Sequence, residues 1–430
     1  MSPQSTASPP RFEHTTLPNG VRLAVHRTAK LKTILVRAYF RANLDDDVTA
    51  RALVPMVLRR GTRSFPDMQL LSRRREELWA CQLHSSLSKL GESHVVRFTL
   101  DVVNDAFLPP GNDVLAGGLE LLRGMIADPV VVDGSFRSDW VAQEKENLRL
   151  TIESIVDNKA HYANVRCVEE MCRDEPFRLD ENGRVADIDV LDGKHLLTFH
   201  RDGAARAPLS IYVAGDIDPE LARRRVAGVF AGERGKPLEL WPLPDAVEPG
   251  EVREIIESLD VSQGRLVLGF RHDMRYGDPG DEAFVLMNTV LGGGGNSLAK
   301  LFQNVREKAS MAYSAYSSID RLKGIAFICC GVDVEKFEKA RDLSLAQVDA
   351  IRGGDVSDAE IESARRTILE SSRMLEDSFS SLMEGDYARG LVGQELDLER
   401  LRQRVAAVTR DEIVAAASRL RHDTTYFLRN

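Results

Sequence analysis

The chain states one plan twice, and a duplicated plan restricts the fold more than any single motif can. The first copy runs Thr33-Ile-Leu-Val-Arg-Ala-Tyr-Phe40, an acidic turn Asp45-Asp-Asp47, an apolar segment to Leu58, then Arg59-Arg-Gly61. The second runs Gly264-Arg-Leu-Val-Leu-Gly-Phe270, then Asp278-Pro-Gly-Asp281, then Ala283 to Leu291, then Gly292. Each reads as strand, acidic turn, helix and glycine stop. The later parts correspond as well. Helix patterns over 114–126 and 139–157 in the first half have counterparts over 333–352 and 358–384 in the second.

Between the copies, Pro237, Pro242, Pro244 and Pro249 stop both helices and strands. Residues 231–250 therefore read as a linker. Pro18-Asn-Gly20, and Gly91-Glu92 between Leu83–Leu87 and His94–Val103, predict hairpins. Grouped strands, hairpins and paired helices predict an α+β fold rather than a doubly wound parallel sheet. The expectation is two similar α+β domains, 12–230 and 251–430, after a floppy tail over 1–11.

At 430 residues, two domains are the natural count. A hydrophobic share of 43% beside 29% charged residues describes a globular protein and not a disordered one. The formal charge of −9 repels phosphate backbones and argues against nucleic acid. No apolar run reaches a membrane span, and the first ten residues lack the basic start and apolar stretch of a signal peptide. Five sparse cysteines read as free thiols in a reducing compartment, and the expected location is the cytoplasm.

Most common chemistries are absent. There is no G-x-x-x-x-G-K-[ST], no G-x-S-x-G, and no G-x-G-x-x-G in a βαβ context. Among nine histidines no H-E-x-x-H or H-x-x-E-H occurs, and His195 and His200 stand too far apart around a helix to share a metal. Cys167 and Cys172 lack zinc-knuckle spacing and read as buried thiols.

What remains is Leu291-Gly292-Gly293-Gly294-Gly295-Asn296-Ser297 and the segment behind it. Consecutive glycines open backbone angles closed to other residues and leave main-chain groups bare. Asn296 or Ser297 can cap the next helix, whose apolar stripe is Leu298, Leu301, Phe302 and Val305. Arg306 falls on the margin of that stripe. Ala309 to Ser318 alternates like a strand, with Met311, Tyr313 and Ala315 on one face. Arg306 and Tyr313 could converge as donors to a peptide carbonyl or its oxyanion. On spacing alone the commoner outcome is a surface salt bridge for Arg306 and sheet packing for Tyr313.

Nearly the whole chain resembles the family of pitrilysin and the mitochondrial processing peptidase, the inverted-motif zinc peptidases. The resemblance rests on Leu17-Pro-Asn-Gly-Val-Arg-Leu23, the duplicated halves, and the run from Gly292 through Arg306 to Tyr313. It implies the fold of those metallohydrolases, with Arg306 and Tyr313 catalytic and Gly292, Gly293, Gly294, Gly295 and Asn296 against substrate. The family's zinc helix carries H-x-x-E-H shortly before Arg/Lys-Gly-Thr. Here Arg60-Gly-Thr62 is present, but Ala52 and Met56 replace the histidines and Pro55 the general base. Ala and Pro cannot bind zinc, and a thioether binds it poorly. Glu146 and Glu153 resemble the downstream acidic pair.

A chain with the Arg/Tyr pair and no metal ligands resembles the non-catalytic half of two-chain family members. His161-Tyr-Ala-Asn-Val-Arg-Cys-Val-Glu-Glu-Met-Cys-Arg-Asp-Glu-Pro-Phe177 is similar to a signature of zinc-less members known as elongation factor P 5-aminopentanol modification-associated proteins. The implied function is a zinc-free subunit of a heterodimeric peptidase that processes peptides, inactive alone. No cofactor is expected in this chain; a homologous H-x-x-E-H partner is expected to hold the zinc. The alternative is an inactive scaffold or peptide-binding homologue, with elongation factor P modification as one setting.

Overall fold

Strand β3 (Thr33–Asn43) is buried along almost its whole length, which places it at the centre of a sheet covered on both faces. The computed structural model describes residues 11–430. The floppy tail expected over 1–11 lies outside them apart from Arg11. Two compact units emerge, one comprising 11–154 and 179–242, the other 155–178 and 243–430.

The first unit carries a six-stranded sheet ordered β1-β2-β6-β3-β5-β4. Its other members are β1 (Glu13–Thr16), β2 (Arg22–Arg27), β4 (Gln82–Leu90), β5 (Ser93–Val103) and β6 (Leu209–Gly215). Only the β2–β6 pair is parallel. The β1–β2 hairpin turns at Pro18-Asn-Gly20, where Gly20 takes φ +84° and donates to the Leu17 carbonyl at 2.9 Å. Val36, Ala38 and Phe40 pack under the helices Val48–Leu58 and Val114–Ala127.

The second unit carries a five-stranded sheet ordered β7-β11-β8-β10-β9, from β7 (Arg253–Ser258), β8 (Gly264–Arg271), β9 (Ala312–Asp320), β10 (Ile325–Val332) and β11 (Arg421–Arg429). Only β7–β11 is parallel. Without β1, the first sheet has the same permutation of its strands. The duplication seen in the sequence is therefore a duplication of topology. The helix Asp281–Leu291 occupies in the second unit the place of Val48–Leu58 in the first.

The fold departs from expectation at several elements. The pattern over 358–384 is two helices, Asp358–Leu375 and Phe379–Gly390, because Ser378 starts the second by accepting from the Ser381 backbone N–H. The segment expected to be an α-helix after the glycine loop winds as a π-helix over Leu301–Lys308. Residues 155–178 belong with the second sheet and not with the residues that flank them. Their helix, Lys159–Met171, lies on β8 and β11, where Ala163 and Cys167 pack with Val267, Cys329 and Tyr426. The approach is close: a Cβ on Gly269 of β8 would stand 2.8 Å from Met171 Sδ. All five cysteines are buried thiols outside any disulfide. No helix among the described residues is long and apolar enough to cross a membrane.

Three buried histidines make the fold acid-sensitive. Burial, aided by the Arg51 charge, pulls His94 down to about 3; burial pulls His200 and His272 down to about 4. All are neutral when folded and protonate near 6.5 when unfolded. The unfolded chain thus binds more protons between pH 4 and 6.5, so stability falls as pH drops through that window. The urea midpoint is expected to decline steadily from pH 6.5 to pH 4.5. A flat midpoint there would contradict neutral burial.

Candidate functional site

The helix that would hold zinc cannot do so. Ala52 is fully buried in Val48–Leu58, and Pro55 sits inside the helix with no N–H to give and no base to offer. On the neighbouring helix, Ser138–Glu153, Glu146 and Glu153 are exposed. The carboxylate that turns inward is Glu144, which the sequence did not single out. It accepts from Arg60 Nε at 2.5 Å and from Asn147 at 3.0 Å. A guanidinium thus takes the charge that a metal site would require. Among the described residues no three His, Cys, Asp or Glu side chains cluster as metal ligands.

The glycine loop is built in two halves. Gly292 and Gly293 are buried and both donate to the Asn288 carbonyl, at 2.9 and 2.8 Å. A Cβ on Gly292 would meet Ser317 N at 2.9 Å. Gly294 and Gly295 are exposed in the left-handed region, φ +66° and +71°. Asn296 is buried as a brace: its Oδ1 accepts from Leu298 N at 3.1 Å and from Ser363 Oγ at 2.7 Å. Buried Lys300, also missed in the sequence, ties the loop to Glu360 at 3.0 Å. Of the five loop residues, only Gly294 and Gly295 are presented to solvent.

Beyond the loop, Leu301 and Val305 are buried while Arg306 points outward. Its guanidinium lies 4.8 Å from the Phe302 ring centroid and its Nε 3.4 Å from Glu307 Oε1. Met311 N donates to the Val305 carbonyl at 3.0 Å, and Ser310 takes φ +50°, reversing the chain into β9. The expected alternation then fails. Ala312 pairs with Val332 and Ser314 with Gly331, so Tyr313 is an extra residue in the edge strand. This bulge ejects the phenol, which is 64% exposed, while Met311 and Ala315 pack on the core. Tyr313 donates to Asp333 at 3.0 Å, and Asp333 pairs with Lys336 at 2.6 Å. The bond to Asp333 and its negative charge hold the phenol above its ordinary pKa, so it stays protonated at neutral pH. Arg306 and Tyr313 flank one turn, each held by its own partner.

Two α+β units of one topology, with a helix stripped of zinc ligands, define a peptidase-like chain without its metal. Residues 191–368 match the family described as the peptidase M16 inactive domain. The probable inactive metalloprotease YmfF of Bacillus subtilis is 33% identical over 95% of this chain and 96% of its own length. A conserved protein from Enterococcus faecalis superposes with a TM-score of 0.88 at 28% identity, over 98% of this chain and 99% of that one. A peptidase M16 inactive domain from Pseudomonas fluorescens shares the fold, with a TM-score of 0.80 at 19% identity over 97% and 98% of the two chains. The chain belongs to the M16 peptidase family, as a zinc-less, inactive metallopeptidase homologue.

Proposed function

We propose that this chain is the zinc-free subunit of a two-chain metallopeptidase that processes peptides, working beside a homologous subunit with H-x-x-E-H. The observation that carries this reading is the bulge that ejects Tyr313, with exposed Arg306 on the other side of the turn, in a chain whose own zinc helix reads Ala52, Pro55, Met56. In such a pair the metal and its base belong to the partner and supply the activated water. Arg306 and Tyr313 donate to the scissile carbonyl as it becomes an oxyanion. The bare backbone of Gly294 and Gly295 lets the substrate chain approach.

A scaffold with no part in hydrolysis is the competing reading, favoured by the same-chain partners Glu307 and Asp333 that already hold Arg306 and Tyr313. One experiment separates the two. The chain is purified alone and with an H-x-x-E-H homologue from the same source, then assayed for zinc and for cleavage of quenched-fluorescence peptides. The expected result is no stoichiometric zinc and no cleavage alone, and more cleavage by the mixture than by the homologue. Cleavage by this chain alone sinks the proposal; a mixture no better than the homologue supports the scaffold.

A further inference from the structure

The acidic turn Asp45–Asp47 has no part in the peptidase reading, yet it borders a largely apolar cavity of the first unit. That cavity, about 260 Å³, lies between the sheet and the helices Val48–Leu58 and Gly193–Arg206. Phe40, Leu58, Phe98, Ile126 and Phe199 form its body, and Leu238 and Glu239 of the linker cross its mouth. Asn43 holds that crossing in place, donating to the Glu239 carbonyl at 3.1 Å and accepting from Trp241 N at 2.8 Å. An apolar cavity of about 150 Å³ already accepts benzene, so this one has room for an aromatic ring and a short arm.

Its polar groups select the sign of the occupant. Asp45, Asp47, Asp202 and Glu239 line the cavity against one cation, Arg51. The Arg51 guanidinium is committed to Asp45 at 2.9 Å and to the Asn43 carbonyl at 3.1 Å, and Asp202 pairs with Arg206 at 3.0 Å. Among the described residues this leaves Asp47 and Glu239 as carboxylates without a cation. His200 is buried and faces the Ile126 carbonyl from Nε2 at 2.7 Å. Pro55, also on the wall, gives no helical N–H to the Arg51 carbonyl. The lining is thus apolar inside and rich in acceptors at the mouth. An anion would be repelled there, whereas an ammonium group would find partners.

We propose that this cavity is a binding site for a small amphiphilic cation: an apolar body the size of one aromatic side chain, carrying a protonated amine. Such a group occurs as a free amine or as the N-terminal residue of a peptide. The site stands independently of Arg306 and Tyr313.

The test is calorimetric titration of the full chain with 2-phenylethylamine, 3-phenylpropionate and the peptide Phe-Gly-Gly. Gly203 supplies the blocking variant. It lines the cavity from within a helix, and a Cβ there meets open space. A side chain at 203 therefore starts unobstructed at the cavity wall, and Gly203→Leu is chosen to crowd the cavity while improving helix propensity, so its melting temperature should not fall. The amine is expected to bind at one site, with the carboxylate at least roughly tenfold weaker. Gly203→Leu is expected to weaken the amine by at least roughly tenfold, and Asp47→Asn with Glu239→Gln to erase the preference for the cation. Tighter binding of Phe-Gly-Gly than of the amine identifies a peptide N-terminus as the source; the reverse identifies a free amine. Equal binding of amine and carboxylate overturns the proposal, as does unchanged affinity in a folded Gly203→Leu or no saturable binding up to about 10 mM.

Discussion

Glu175→Gln is expected to lower the unfolding free energy by about 3–5 kcal/mol, the largest loss we anticipate from any single isosteric change. Glu175 follows the helix Lys159–Met171 and accepts from Arg271 at 2.6 and 3.2 Å, and from Lys323. Arg271 is 3% exposed and the Lys323 side chain 1%, so both cations are desolvated. Arg271 has further partners in Asp423 at 3.1 Å and the Met171 carbonyl at 2.6 Å. Removing the Glu175 charge takes one anion away from two buried cations, which costs far more than the net value of the pairs. The double variant Glu175→Gln, Lys323→Met is expected to lose less than the sum of the single variants, because cation and anion leave together. Burial alone would raise the Glu175 pKa, but the hydrogen bonds and charges of Arg271 and Lys323 override it and hold the carboxyl below its ordinary value. This stabilisation is therefore fully present above the unfolded carboxylate pKa and is lost as pH falls through the lower folded one. Urea unfolding at neutral pH checks the size. A loss below about 1 kcal/mol would show that the network holds without its carboxylate.

For the reconstituted pair, Arg306→Ala is expected to reduce kcat by about 10²–10³-fold, the usual consequence of deleting one oxyanion donor. Tyr313→Phe is expected to fall in the same range, and the double variant to lose less than the product of the two, since in the proposed reaction both donors serve one oxygen. Both side chains are exposed and carry no core packing, so subunit association and melting temperature should be unchanged. Single-turnover rates and gel filtration on the same samples separate the outcomes. Full activity in Arg306→Ala would remove that residue from the reaction. Lost association would reassign it to an interface.

Local signals were legible in the sequence and long-range ones were not. Pro18-Asn-Gly20 declared its hairpin because turn chemistry resides in the residues themselves. The duplicated strand-turn-helix pattern gave both units for the same reason. The loss of zinc was visible at Ala52, Pro55 and Met56 without any coordinates. The ejection of Tyr313 was not, because a bulge exists only relative to its partner strand, and nothing near Ala312 announces the register of β10. Likewise, Cys167 and Cys172 read as buried thiols, but their spacing could not say which sheet would bury the helix that carries Cys167. Glu144, rather than Glu146 or Glu153, faces inward because of the helix's rotation on its neighbour, which periodicity constrains only loosely. The long signature from His161 to Phe177 now has a physical account. Tyr162 and Arg166 bind Glu257, Asn164 accepts from Cys329, and Glu175 clamps Arg271 and Lys323.

The excursion of residues 155–178 also changes what it means to divide this polypeptide. The chain leaves the first unit after Ser154, returns at Leu179, and leaves again after Pro242. A protease that nicks the proline-rich connector would sever only the last of these crossings. The amino-terminal fragment would still own a helix that fills the other sheet's core, and the two pieces would stay threaded together as a non-covalent complex. Truncation at the connector would instead leave Val267, Cys329 and Tyr426 uncovered, so a recombinant carboxy-terminal half is a poor surrogate for the intact molecule.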